Sequence, residues 1–195
     1  MTTTRILEIG HEPDASRRAV NADIEFADIE DKQIITCDID PKTWPDILHD
    51  IREPFAKEHH AAYDIILCSH VLEHIEYRKV VSTFENILRC LKAGGEIIVI
   101  VPSLEWGCDA FRDGEIGSYT FQALLFGGQG DPHDYHKSAF TLAWFVALGK
   151  EFGLEPVKTG YATFSISHEL FYDDGTIENK IIECKQNVYI GKKVK

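Results

Sequence analysis

The chain reads YDIILCSHVLEHI at positions 63–75 and LKAGGEIIVIVP at positions 91–102. Within these segments, Tyr63–Ser69 and residues 96–101 are short, apolar and rich in β-branched side chains, which predicts two strands. Similar runs alternate with helical or polar segments along much of the chain. This alternation predicts an α/β fold with a mainly parallel sheet.

Two amphipathic helices are predicted from apolar residues that recur at helical spacing. The first runs from about residue 76 to residue 91 and carries five such residues on one face: Val80, Phe84, Ile87, Leu88 and Leu91. Gly94 and Gly95 are expected to supply its left-handed stop. The second helix runs from about residue 138 to residue 152, with Ser138 as its N-cap.

The remaining strands are predicted on both sides of this central unit, at 5–9, 33–38, 46–49, 157–165 and 181–190. A polar turn at Asp173, Asp174 and Gly175 separates the last two. The early strands end in polar residues or glycine, and ligand-binding loops lie at such ends in open α/β sheets.

Residues 103–137 differ from the rest because they mix aromatic residues with a glycine cluster and the sequence HDYHK at 133–137. A long segment of this kind after a core strand is typical of a lid or binding insertion, or else of a mobile surface loop. We therefore expect one domain over 1–195, with a lid-like insertion over the site at about 103–137.

Composition narrows the possible functions. The 195 residues carry 20 basic and 32 acidic side chains, a formal net charge of −12, which disfavours nucleic-acid binding. The five cysteines form no CxxC pair, as expected for reduced thiols in a cytoplasmic protein. The opening MTTTRILEIG has no apolar signal region, and no apolar run is long enough to span a membrane.

The order of motifs resembles the class I S-adenosylmethionine-dependent methyltransferases, in particular their type 11 branch. ILEIG at 6–10 resembles the first half of that family's nucleotide-binding motif, and further matches follow in order: Asp64, Ser69, His70, Leu72, Glu73, His74, Leu91, Gly94, Gly95 and Pro102. The resemblance implies a Rossmann-like, doubly wound, mainly parallel sheet with an antiparallel edge strand. It also implies S-adenosylmethionine as cofactor and S-adenosylhomocysteine as product.

The same resemblance suggests the cofactor-binding residues. Asp38, at the end of the second strand, can accept both ribose hydroxyls, with Asp40 as the fallback and Ile39 as an apolar contact beneath the adenine. The structural alternative is that Asp38 and Asp40 only cap a turn before Pro41.

Further matches extend this set along the ligand. Asp50 matches the acid near the adenine amine, and Glu8 the acid that faces the methionine end. Gly10 permits close backbone approach. Ser69 and His70 are expected below the methionine part and near the transferred methyl group.

The loop after the first strand departs from the family pattern, because GHEPDASRRAV contains Gly10 but no second glycine. Asp38 lies 28 residues after Gly10, against about 20 in the general dinucleotide motif. Either the loop holds the cofactor by another route, with Asp14 and Ser16 capping the next helix, or cofactor binding is weak or lost. The second case predicts an inactive, methyltransferase-like binding module.

Histidines are the candidate general bases for a hydroxyl acceptor. We favour His136, with His133 and His70 as alternatives, although HDYHK could also be a polar lead-in to the next helix. The His-x-x-His pair lacks a nearby third ligand, so no metal site is predicted. For Glu73 and His74 we expect structural roles, at a helix start and in packing. The predicted reaction is methyl transfer to a small molecule, such as a sugar or other metabolite hydroxyl.

Overall fold

The computed structural model describes residues 3–10, 29–130, 132–171 and 177–194. The predictions for Asp14, Ser16 and the turn at Asp173 to Gly175 lie outside these residues. Over the described part of the chain, no helix is both long and apolar enough to cross a membrane.

Seven strands of the described chain form a single sheet in the order β3-β2-β1-β4-β5-β7-β6. Their bounds are β1 Thr4–Ile9, β2 Lys32–Asp38, β3 Ile47–Leu48, β4 Tyr63–Ser69, β5 Leu91–Pro102, β6 Leu154–Phe171 and β7 Ile177–Lys193. The first five pair in parallel, whereas β7 runs antiparallel between β5 and β6. This confirms the predicted mainly parallel sheet with antiparallel pairing at one edge.

Four α-helices connect the strands in the described residues: α1 Tyr77–Cys90, α2 Leu104–Arg112, α3 Ser118–Phe126 and α4 Leu142–Glu151. The predicted apolar face of α1 is buried in the main core with alternate residues of the strands and with Phe145 and Leu148 of α4. The other face of the sheet has its own cluster around Leu67, Ile98 and Ile100. Because both faces of β5 are buried, its sequence is a continuous apolar run.

The first helix ends within one residue of its predicted end, but its predicted glycine stop and the predicted start of the second helix were wrong. Helix α1 ends at Cys90 with Leu91 as its C-cap, and Gly94, with its φ of +79°, lies within β5. Helix α4 begins after Thr141, whose hydroxyl accepts the Trp144 N–H, and not after Ser138. The Ser138 hydroxyl instead donates to Ile75 O.

The segment between β5 and α4 contains helices α2 and α3, which were not predicted from the sequence. Ser103 caps α2 through the Trp106 N–H. Apolar residues of the two helices pack with Cys184 of β7 in a separate small cluster. The segment is therefore folded against the end of the sheet, beside the carboxyl ends of β4 and β5.

Asp64, near the start of β4, interacts with residues of both neighbouring strands, β1 and β5. Its carboxylate accepts the Arg5 N–H at 2.9 Å and the Lys92 ammonium at 2.8 Å. Desolvation raises the pKa of Asp64, but the Lys92 and Arg5 hydrogen bonds outweigh it and hold the pKa below 3.8. Since the pKa of Asp64 is lower in the folded state than in the unfolded state, this carboxylate stabilises the fold at neutral pH. The stabilisation is lost as pH falls through the folded-state pKa.

Asp64→Asn is therefore expected to lower the free energy of unfolding by about 0.5–1 kcal/mol at pH 7, a modest value because the pair is partly exposed. Urea unfolding at pH 7 and pH 3.5 measures the loss, which should shrink at the lower pH. Glu85→Gln, which breaks the more exposed pair with Arg89, serves as the control and should cost less. An Asp64→Asn effect independent of pH would contradict this account.

Candidate functional site

The carboxyl ends of the central strands meet where the strand order reverses, between β1 and β4. Ile9 is level with Cys37 of β2 and with Cys68 of β4, so the next residues are also neighbours. The register thus brings Gly10, Asp38 and Ser69 to one edge of the sheet. In open α/β sheets this crevice is the usual ligand-binding position.

Gly10 makes the turn at the end of β1. Its φ is +81°, and its N–H donates to Cys37 O at 3.0 Å. A Cβ at this position would overlap Cγ2 of Val71, and it would lie 3.2 Å from Ser69 O. Backbone conformation and close packing both require glycine here. Glu8, two residues earlier on β1, is half-buried.

Asp38 and Asp40 make the turn that the structural alternative predicted. Asp38 Oδ1 accepts the Asp40 N–H at 2.8 Å, and Asp40 Oδ1 accepts the Lys42 N–H at 2.9 Å. Among the described residues, Oδ2 of Asp38 accepts no hydrogen bond. Asp38 therefore combines a capping role with one carboxylate oxygen free for a ligand, and Ile39 beside it is 41% exposed.

Asp50 forms a local ion pair. Both of its carboxylate oxygens accept hydrogen bonds from Arg52, at 2.6–3.0 Å, and the Arg52 N–H adds another. The Arg52 hydrogen bond holds the pKa of Asp50 below its usual range. The structure therefore gives Asp50 a structural role, and its contact with the adenine amine stays a prediction.

His70 follows β4 in the left-handed region, with φ of +53°. Its Nε2 lies 2.7 Å from Gln186 Oε1 of β7, and its Nδ1 lies 3.3 Å from Glu73 Oε1. Ser69 beside it is buried. The positive φ turns the chain at this point into the 3-10 helix Leu72–His74.

A pocket of about 630 Å³ opens beside His70. The 3-10 helix and Pro102 at the end of β5 form one wall, and α3 with the glycines at 127 and 128 forms another. His136 and Asp134 of the HDYHK segment also line it, whereas His133 is exposed and is not part of the lining. The volume suits a small-molecule ligand.

Glu73, His74 and His136 lie together on the pocket wall. The Glu73 side chain is 2% exposed, and its backbone carbonyl accepts the N–H groups of Lys137 and Ser138. The rings of His74 and His136 are 4.9 Å apart, edge to face, so His74 packs against a neighbour as predicted. Glu73 lies in the first turn of the 3-10 helix Leu72–His74, which agrees with its predicted place at a helix start, and not in α1.

The environment of His136 fixes its protonation. Its Nδ1 lies 2.9 Å from Leu124 O, which can only accept a hydrogen bond, so Nδ1 carries the proton and Nε2 keeps a lone pair. Burial lowers the pKa of His136, and this effect outweighs the negative charge of Glu73, which raises it. The ring is therefore neutral at pH 7.

Sequence reasoning missed that Glu73 and His74 line this pocket and that Gln186 holds the His70 ring at its edge. Gln186 meets His70 across 116 positions of sequence, and no local pattern marks such a contact. For Glu73 and His74, the available signal was their place directly after the end of β4.

The comparisons with known proteins agree with this architecture. A family model described as a methyltransferase domain matches residues 5–159. No curated protein sequence matches the chain.

Several solved structures share the fold at low sequence identity. An S-adenosylmethionine-dependent methyltransferase from Methanosarcina mazei has a TM-score of 0.58 and 14% identity, covering 100% of this chain and 94% of that one. YcgJ from Bacillus subtilis has a TM-score of 0.59 and 14% identity, covering 99% and 93%. The 1,6-didemethyltoxoflavin-N1-methyltransferase of Burkholderia thailandensis has a TM-score of 0.55 and 12% identity, covering 99% and 72%.

The family match spans most of the chain, and the strand order with its antiparallel β7 agrees with it. The chain shares its fold with the S-adenosylmethionine-dependent methyltransferase of Methanosarcina mazei, and it therefore belongs to the methyltransferase domain family.

Proposed function

We propose that the protein methylates a hydroxyl group of a small molecule, such as a sugar or other metabolite, bound in the pocket beside His70. The observation that carries this proposal is the position of that pocket. It adjoins the carboxyl ends of β4 and β5, next to the edge formed by Gly10, Asp38 and Ser69.

The residues at the sheet edge fit the cofactor. When bound, S-adenosylmethionine supplies a methyl group on a sulfonium, whose sulfur keeps the bonding electrons as the acceptor oxygen takes the methyl. We assign the free carboxylate oxygen of Asp38 to the ribose hydroxyls and the turn at Gly10 to close backbone approach. Three further residues would complete this part of the site, with Ile39 beneath the adenine, Asp50 near its amine and Glu8 at the methionine end.

The residues of the pocket fit the acceptor. His136 is neutral and keeps a lone pair on Nε2, so this nitrogen would take the proton that the hydroxyl loses. Ser69 at the edge and His70 in the pocket lining would position the reacting groups. Of the three candidate histidines, His133 is the least favoured because it lies outside the pocket lining. Residues 103–137 would cover the bound acceptor, since α3 and the glycine loop already form one wall.

Two observations favour a small molecule over a macromolecule as the acceptor. The pocket is concave and of a size for a small ligand. The net charge of −12 repels nucleic-acid backbones. The Burkholderia thailandensis structure contains 1,6-didemethyltoxoflavin and S-adenosylhomocysteine, so the shared fold accommodates a ligand of this size class there.

Calorimetric titration of the purified protein with S-adenosylhomocysteine tests the cofactor half of the proposal without knowledge of the acceptor. We expect one site with a dissociation constant in the micromolar range, about −8 kcal/mol. Screening of hydroxylated small molecules for S-adenosylhomocysteine release then tests the acceptor half.

Absence of binding up to millimolar concentration, with the protein folded by circular dichroism, would contradict the proposal. It would favour the alternative of an inactive binding module, for which the single glycine after β1 is the motivating feature. Methylation of RNA or DNA, with affinity that falls steeply with salt, would overturn the acceptor class.

A further inference from the structure

We propose that Glu73, His74 and His136 form a binding site for one divalent transition-metal ion on the wall of the acceptor pocket. One ligating atom of each residue lies within 4.8 Å of those of the other two. The three residues come from two distant segments, the 3-10 helix after β4 and the HDYHK segment. No metal was predicted from the sequence because the His-x-x-His pair had no visible third ligand; the fold instead pairs His136 with Glu73 and His74.

The Glu73 carboxylate is the first independent observation for this site. The residue is 1% exposed, and neither carboxylate oxygen has a hydrogen-bond partner among the described residues. His70 Nδ1 lies 3.3 Å from Oε1, an ion-pair distance when the imidazole is protonated. A buried carboxylate whose oxygens accept no well-formed hydrogen bond is costly, and metal coordination is one way to compensate it.

The two histidine rings are already oriented as metal ligands. His74 Nδ1 lies 3.2 Å from Tyr135 O, and His136 Nδ1 lies 2.9 Å from Leu124 O. Each carbonyl accepts the Nδ1 hydrogen, so both rings are held with the Nε2 lone pair available. Metal-binding histidines usually donate their other ring N–H to a carbonyl or carboxylate in this way.

The donor set indicates the class of ion. Two imidazoles and one carboxylate suit Zn²⁺, Fe²⁺ or Co²⁺, whereas Mg²⁺ and Ca²⁺ prefer oxygen ligands alone. Three protein ligands leave one or more coordination positions open, as in catalytic rather than structural sites. Because all three residues line the pocket, those positions face the acceptor.

An ion in this site would deepen the proposed function. Its catalytic use rests on that function, whereas the binding of the ion does not. It would hold the acceptor oxygen and lower the pKa of the hydroxyl, whose proton would pass to water in the pocket. His136 would then act as a metal ligand instead of the base. A single water in the small cavity of about 10 Å³ beside Glu73 and His136 is the competing explanation for the unpaired carboxylate.

Titration of chelator-treated protein with Zn²⁺ by calorimetry, and with Co²⁺ by visible absorption, tests the site. A Cys108→Ser background removes the exposed thiol. We expect one equivalent of Zn²⁺ and of Co²⁺ to bind and Mg²⁺ not to compete. Glu73→Gln and His136→Ala should each weaken binding about 100-fold or more, whereas His133→Ala, in the same segment but exposed, should bind normally.

Thermal unfolding shows whether each variant folds and gives a second readout, since Zn²⁺ should raise the Tm of the parent but not of Glu73→Gln. If Glu73→Gln does not fold, His74→Asn takes its place. Lack of one-equivalent Zn²⁺ binding by the parent, or unchanged binding by the variants, would overturn the site and favour the buried water. S-adenosylhomocysteine binding is measured in the same samples, so loss of the metal site with intact cofactor binding leaves the proposed function standing.

Discussion

Asp38→Asn is expected to weaken S-adenosylhomocysteine binding about 100-fold while leaving the fold intact. Asn keeps an oxygen to accept the Asp40 N–H, so the turn at 38–40 should survive. The oxygen that is free in Asp38 becomes an amide nitrogen, which cannot accept the ribose hydroxyls. Loss of two charge-assisted hydrogen bonds costs about 3 kcal/mol, or roughly 100-fold in affinity. Calorimetric titration of variant and wild type measures the change.

Asp40→Asn is the matched control for Asp38→Asn. Asp40 carries the same charge two residues away, and its carboxylate caps the 3-10 helix Pro41–Thr43, a role that Asn fills equally well. We expect its affinity to stay within about threefold of wild type. If the two variants exchange behaviour, Asp40 holds the ribose. If neither loses affinity, the cofactor assignment at this edge is wrong.

The general fold was predictable because its signals are local. The apolar runs of β4 and β5 and the helical spacing of α1 are each visible within a short window. The ends of the helices were less predictable, because tertiary contacts determine them. The Ser138 hydroxyl bonds to Ile75 O, and Asn187 donates to Phe140 O, so the chain stays extended up to Thr141.

The two halves of the candidate site, the cofactor edge and the acceptor pocket, also differed in how far the sequence could predict them. Gly10, Asp38 and Ser69 could be placed together because parallel strands bring their carboxyl ends to one edge, and the register agrees. The cluster of Glu73 with His136 could not be predicted from the sequence. It is formed because the Lys137 and Ser138 N–H groups, from a segment about 60 residues later, donate to Glu73 O. Helices α2 and α3, which build the other wall, were also missed.

Gly10→Ala is expected to lower the free energy of unfolding by about 3 kcal/mol and to weaken S-adenosylhomocysteine binding at least tenfold. A left-handed φ costs an alanine about 1–2 kcal/mol. Overlap of the new Cβ with Val71 Cγ2 adds about 1–3 kcal/mol, as in overpacked cores. Val71 lies between His70 and the 3-10 helix, so its displacement also disturbs the pocket wall. Urea unfolding and calorimetric titration measure the two losses.

Gly94→Ala separates the two causes of this loss. Gly94 has nearly the same φ, +79°, but among the described residues no atom lies within 4 Å of the place that a Cβ would take, so only the conformational cost of about 1–2 kcal/mol remains. Val71→Ala removes the overlapping methyl group, and the double variant Gly10→Ala/Val71→Ala should show a favourable coupling of about 1–2 kcal/mol. If Gly10→Ala costs no more than Gly94→Ala and shows no coupling to Val71, the close packing of the β1 turn against the pocket wall has no energetic role. The cofactor edge and the acceptor pocket would then respond independently to substitution.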